Sequence, residues 1–148
     1  MKATEQLMIG DWVCYCKANA YITQVREIRS TSDGEENYIC CLRDDRDPLK
    51  EKYPADDFNT EILSPIPLTE EILRKNGWEY NGEDAKFFPQ TWVGGGLKLQ
   101  GADDGGYRIV VTSDYDDEDT NSTPFILHYV HELQHALRLR RIEKEIEL

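Results

Sequence analysis

The first 64 residues contain only short strand-like runs, and this brevity constrains the fold more than any other feature of the chain. Residues 9–16, 21–28 and 38–42 are rich in β-branched and aromatic side chains, and the breaks between them contain Lys17-Ala18-Asn19-Ala20 and Ser32-Asp33-Gly34. Residues 58–63 supply one more such run. Short strands leave unpaired edges, and closing a sheet on itself is the economical way to lose them. A small β-barrel over residues 1–64 is therefore expected.

Pro65-Ile66-Pro67 interrupts this pattern and marks the expected boundary to a second part, residues 65–148. A short helix follows with consistent punctuation. Thr69 is a suitable N-cap, Glu70 and Glu71 sit at the positive end of the dipole, and Leu68 can staple onto Leu73. Arg74 and Lys75 occupy the last turn before Asn76-Gly77 stops it. Beyond it, Trp78-Glu79-Tyr80 and residues 85–88 flank Asn81-Gly82, a dipeptide suited to tight hairpin turns. Residues 92–100 and 107–113 form a second expected hairpin around Asp103-Asp104-Gly105-Gly106. Gly94-Gly95-Gly96 is not a phosphate loop, because no Lys-Ser/Thr follows and no helix begins there; it reads as a bulge or a loose edge strand.

Charge and composition narrow the function classes. Lys plus Arg is 17 against Asp plus Glu 29, a formal net charge of −12. That balance argues against direct binding of nucleic acid, which needs a basic surface. No apolar run approaches the roughly 20 residues of a spanning helix, and the N-terminus lacks the apolar core of a secretion signal. The expectation is a cytoplasmic protein without membrane association. Cys14 and Cys16 would share one face of a strand, while the neighbours Cys40 and Cys41 would point to opposite faces. Neither spacing offers the turn that lets two sulfurs converge on zinc, so buried free thiols are expected. Residues 114–119 hold five acids in six positions. They lack the Gly and Glu of a calcium loop, having Asp119 and Phe125 at those positions, and read as a solvated acidic loop.

One segment suggests chemistry. Residues 129–141 read as a helix, with a start as early as Thr123-Pro124 also compatible with an N-cap and first turn. It contains His131-Glu132-Leu133-Gln134-His135, and His128 lies just before. Residues i and i+4 share a helical face, so His131 and His135 could both reach a zinc ion while Glu132 deprotonates its bound water. Three arguments oppose a metal site, one being that the motif is short and suits an ordinary amphipathic helix with Glu132 near its start and Arg138, Arg140 and Arg141 near its negative end. The extended motif would place Gly and His where the chain has Arg138 and Arg141, and thirteen residues after His135 leave hardly any room for another ligand-bearing helix. His128 would lie about 10 Å along the axis from His135. On a helical projection Ile126, Val130, Leu133 and Leu137 form a narrow apolar stripe, with all three histidines more than about 120° from its centre, towards solvent or a partner.

Ile9-Gly10-Asp11-Trp12-Val13 is similar to the first strand of SH3-like barrels. It also resembles the opening block of an uncharacterised protein family frequent in gut Bacteroidales and their prophages or mobile elements. Pro65-Ile66-Pro67-Leu68-Thr69-Glu70-Glu71-Ile72-Leu73 with Lys75-Asn76-Gly77-Trp78 resembles a second block of that family. Tyr129-Val130-His131-Glu132-Leu133-Gln134-His135-Ala136-Leu137-Arg138-Leu139 with Lys144-Glu145-Ile146 resembles its ending. The resemblance spans nearly the whole chain and implies a barrel-like N-terminal part followed by a helix-and-hairpin part closed by the final helix. It implies no activity. Some relatives carry Gln and Asn at the positions of Glu132 and His135, which would break a zinc motif. Many carry Cys-Gly where this chain has Arg140-Arg141; losing that helix-stopping glycine implies a longer final helix.

The expected architecture is α+β: an SH3-like barrel over residues 1–64, then an antiparallel sheet with two helices over 65–148. The expected function is that of a non-catalytic interaction or accessory protein of a phage or mobile element, without a cofactor, acting on a protein partner. Trp12, Trp78 and Trp92 are candidate partner contacts, with core packing as the competing role for each. The enzyme alternative is a zinc metallopeptidase using His131 and His135 as ligands and Glu132 as general base. A further alternative is an acidic mimic of nucleic acid that occupies a host defence protein.

Overall fold

In the computed structural model, which describes residues 7–16, 21–30, 32, 37–81, 91–111 and 121–148, the chain divides into two compact units, Met1–Ile66 and Pro67–Leu148. The fold class is α+β: two antiparallel sheets and two helices among the described residues. None of the described helices is long and apolar enough to cross a membrane.

The first unit contains β1 (Trp12–Tyr15), β2 (Tyr21–Ser30), β3 (Asn37–Leu42), β4 (Ala55–Asn59) and β5 (Ser64–Pro65), in the sheet order β4-β3-β2-β1-β5. Val13, Tyr15, Val25, Ile39, Cys41 and Phe58 form its apolar centre. The β2–β3 register shifts between Val25 and Glu27, and residues 26–30 beyond that irregularity are exposed. Among the described residues no pairing joins the edges β4 and β5, and no closed barrel is found. On β4, Ala55, Asp56 and Asp57 are exposed.

Two expectations change here. The run expected at 58–63 is displaced: β4 ends at Asn59, and the chain turns before β5. β1 ends at Tyr15, and Cys16 is exposed with a left-handed φ of 78°, so it does not share a strand face with Cys14. Cys14 and Cys41 are buried, Cys40 is half-buried, and all four thiols are free. Burial pushes the Cys41 thiol up to about 12.

Several polar groups in this unit pair with one another, which offsets the cost of burying them, although the buried Arg43 Nε has no hydrogen-bond partner among the described residues. The Tyr15 hydroxyl donates to Asp47 Oδ2 at 2.8 Å and accepts from the Asp44 N–H at 2.9 Å. Burial raises this phenol to about 12. Arg43 donates to Asp47 at 2.8 Å and also reaches Asp56. The Asp44 carboxylate accepts from the Ile22 N–H at 2.8 Å and from the Arg46 guanidinium at 2.7 Å. The Arg46 side chain, followed by these backbone donors, holds the Asp44 carboxyl well below the usual carboxylate range.

The second unit begins with α1 (Glu70–Lys75), capped by Thr69, whose hydroxyl accepts from the Ile72 N–H at 3.3 Å. Leu73 is fully buried, and Gly77 ends the helix at φ +89°. The sheet contains β6 (Glu79–Asn81), β7 (Thr91–Val93), β8 (Lys98–Gly101), β9 (Tyr107–Val111) and β10 (Asn121–Leu127), each beside its sequence neighbour. β6 pairs with β7, placing Tyr80 opposite Trp92. Gly82 and the strand expected at 85–88 lie outside the described residues, as does the acidic segment 114–119. The hairpin of β8 and β9 forms around the expected turn, where Asp104 Oδ1 accepts from the Gly106 N–H at 3.0 Å.

The single strand expected at 92–100 is two strands, joined by a turn through Gly94-Gly95-Gly96 with φ of +110° at Gly94 and +97° at Gly96. Close packing requires glycine here: a Cβ on Gly95 would lie 1.9 Å from Cε2 of Trp78. Trp78 is fully buried, and its Nε1–H donates to the Leu97 carbonyl at 2.8 Å.

The final helix, α2 (Val130–Leu139), does not start at Thr123-Pro124; that segment belongs to β10, which pairs with β9. Proline lacks the N–H that a regular ladder uses, and the β10 register is irregular between Ser122 and Ile126, around Pro124. Ile126 is consequently a strand residue rather than part of a helical stripe. The helix is not lengthened by the loss of glycine either. Arg141 itself adopts the left-handed conformation, φ 56°, and completes a Schellman closure. Its N–H bonds the Arg138 carbonyl at 3.0 Å, and the Ile142 N–H bonds the Leu137 carbonyl at 2.9 Å. The following segment lies by α1: the Asn76 carboxamide donates to the Glu147 carbonyl at 2.7 Å and accepts from the Glu147 N–H at 2.8 Å. Ile146 is buried.

Two outcomes follow. Arg141→Gly relieves the left-handed cost of a side chain and should stabilise the protein by about 0.5–1 kcal/mol, read from the denaturant midpoint at constant slope. Because the folded Asp44 carboxyl is depressed, its contribution is present above an unfolded value of about 3.9 and is lost as pH falls towards the folded value. Urea midpoints at pH 6 and pH 3 should therefore differ less in Asp44→Asn than in the parent chain.

Candidate functional site

The His-Glu motif occupies the first turns of α2, and the structure assigns its members different tasks. Glu132 turns back to the helix start, where its Oε2 accepts from the His128 N–H at 2.7 Å and the Tyr129 N–H at 3.1 Å. A carboxylate at the third helical position caps backbone donors that lack partners in the helix ladder, and its charge suits the positive end of the dipole. The same junction is tied to the segment before α1: the Leu68 N–H donates to the His128 carbonyl at 2.8 Å, and Pro67 forms an antiparallel bridge with Tyr129.

The imidazoles do not all face outward, as the helical projection expected. His131 is 2% exposed, His135 is half-buried and His128 is exposed. The reason is the extent of the buried face. Val130, His131, Leu133, Gln134, Ala136 and Leu137 are all covered, an arc of roughly 220° at 100° per residue, much wider than the aliphatic stripe. The His131 ring stacks on Tyr129 with centroids 5.9 Å apart and planes 9° apart, and it meets His135 edge-on at 5.7 Å. His128 is engaged elsewhere: its Nε2 lies 3.0 Å from Asp104 Oδ2 in the β8–β9 turn. The Gly106 N–H, followed by the His128 ring, holds the Asp104 carboxyl below its ordinary value. Thus His131 and His135 are neighbours one turn apart, whereas His128 belongs to another cluster. Among the described residues, no group of three or more His, Cys, Asp or Glu is arranged to hold a metal ion.

The three tryptophans also divide. Trp78 and Trp92 are 0% and 2% exposed and serve as core residues, while Trp12 is half-buried. Trp92 has a further neighbourhood that its sequence context does not announce. The Arg74 guanidinium lies 5.0 Å from the centroid of its ring, and Tyr80 meets it edge-on at 5.3 Å and 61°. With Glu70, these three residues line an open cavity of about 270 Å³ between α1 and the β6–β7 pair. Glu70 and Arg74 are one helical turn apart, a spacing visible in the sequence; their meeting with Tyr80 and Trp92 depends on tertiary packing.

No protein-family model, curated protein or solved structure matches the chain.

The capping geometry predicts that Glu132→Ala destabilises the protein by about 1 kcal/mol. Glu132→Gln should retain most of that stability, since an amide oxygen can accept from the same two N–H groups. Thermal unfolding of the pair checks this.

Proposed function

We propose that the chain is a non-catalytic interaction or accessory protein of a phage or mobile element, acting in the cytoplasm on a protein partner. The observation that carries this reading is the engagement of Glu132 by the backbone N–H groups of His128 and Tyr129. A general base must present its carboxylate to a water at the reacting centre. Here the same oxygen closes the helix start, and the adjacent His131 ring packs against Tyr129. The motif is thereby accounted for as a capped helix start with a buried ring beside it. Resemblance to a family of mobile elements supplies the biological setting.

Within this proposal the first unit is an SH3-like barrel whose closure is incomplete. The order β4-β3-β2-β1-β5 supports that reading, as does a ten-residue β2 that pairs with β1 through its first half and β3 through its second.

Elemental analysis of protein purified without a histidine tag tests the functional reading. The expected result is substoichiometric zinc that does not depend on His131. Stoichiometric zinc that disappears in His131→Ala would overturn it and restore a hydrolytic centre with Glu132 as base.

A further inference from the structure

We infer that the cavity beside α1 is a recognition pocket for an arginine side chain of a basic partner segment, and that Arg74 occupies it in the unbound chain. This inference rests on the reading of the chain as an interaction protein and names the chemistry of its partner. Direct opposition across the β6–β7 ladder puts Tyr80 and Trp92 on one face of the sheet. Their edge-on contact, at 5.3 Å and 61°, forms an aromatic corner. Glu70 and Arg74, from successive turns of α1, complete the lining.

The Arg74 side chain shows what the corner accepts. Its guanidinium stands over the Trp92 ring, 5.0 Å from the centroid, and 4.0 Å from the Glu70 carboxylate. A flat, weakly hydrated cation between an indole face and a carboxylate is an arrangement to which guanidinium is suited. Arg74 is open to solvent on its other side: its side chain is 61% exposed, and open space of about 270 Å³ lies beside it. Tyr80 is 47% exposed, so the outer edge of the aromatic corner is open to an incoming side chain. Swinging Arg74 into solvent uncovers the Trp92 ring for an incoming guanidinium, with Glu70 in the lining supplying negative charge. The formal net charge of −12 favours encounter with a basic partner over an acidic one. An internal competitor lowers apparent affinity by the fraction of time it fills the site, so removing Arg74 should strengthen binding.

The test uses the full chain labelled with ¹⁵N and the capped peptide Gly-Gly-Arg-Gly-Gly, followed through the Trp92 indole N–H resonance, assigned with Trp92→Phe. A saturable shift is expected with this peptide and none with its neutral citrulline counterpart. Arg74→Gln should tighten binding by about three- to tenfold, and Tyr80→Ala should weaken it by about as much. Lys75→Gln changes the charge of the same helix without clearing the ring and should leave affinity within about twofold. Absence of a shift in both the parent chain and Arg74→Gln overturns the pocket. So do equal binding of the citrulline peptide, an Arg74→Gln variant no tighter than the parent, and equal tightening by Lys75→Gln. None of these variants alters a histidine, so any of those failures leaves the non-catalytic reading in place. Zinc lost in His131→Ala removes that reading and leaves the pocket to stand on its own binding data.

Discussion

Burying Trp78 completely requires a carbonyl within reach of its indole N–H and a neighbour thin enough to lie against the ring. Leu97 and Gly95 meet those requirements, the first at 2.8 Å and the second by lacking a Cβ. Much of the second unit follows from this fit. The left-handed Gly94 and Gly96 on either side of Gly95 turn a potential strand into a tight connection, so β7 and β8 become neighbours rather than one continuous run. The Lys144 ammonium, 5.5 Å from the Trp78 ring, and the Asn76–Glu147 pair then hold the last residues beside α1. A large aromatic side chain contributes to burial on the scale of whole secondary elements, so its placement organises what surrounds it.

Local signals in the sequence were legible where the physics is local. Thr69, Glu70, Glu71, Arg74, Lys75 and Gly77 agree on one short helix, and α1 forms between those marks. The turn of Asp103-Asp104-Gly105-Gly106 was similarly readable, because Asp and Gly stabilise reversal through their own backbone neighbourhood. Tertiary effects were not. Nothing adjacent to Gly94-Gly95-Gly96 announces that an indole lies against it. The left-handed Arg141 shows the opposite case: the resemblance, with Arg140-Arg141 where many relatives carry Cys-Gly, implied a longer helix, but Schellman bonds and burial of the returning segment outweigh the cost of one strained residue.

The His-Glu motif illustrates how spacing and environment differ as evidence. A helix brings positions i and i+4 together, and His131 and His135 are indeed adjacent. Spacing does not determine what the intervening acid does, and here Glu132 is drawn to the unsatisfied N–H groups at the helix start. Nor does an aliphatic stripe define the buried face when a ring such as Tyr129 covers a further side, as it does for His131. The pocket of Glu70, Arg74, Tyr80 and Trp92 was hidden for a related reason. Two of its members lie on a helix, and two meet only through strand register.

The exposed acids of β4 have a consequence for the colloidal behaviour of the chain. An edge strand is a template on which another molecule can add a strand, and stacked copies repeat at about 4.8 Å. Asp56 pairs with Arg43 and Asp57 lies 3.5 Å from Arg29, so a copy extending the sheet through this edge would have to approach ion-paired acids on an already acidic protein. Fibrillar growth from that side is electrostatically discouraged, and the repulsion weakens as salt rises or as the carboxylates become protonated.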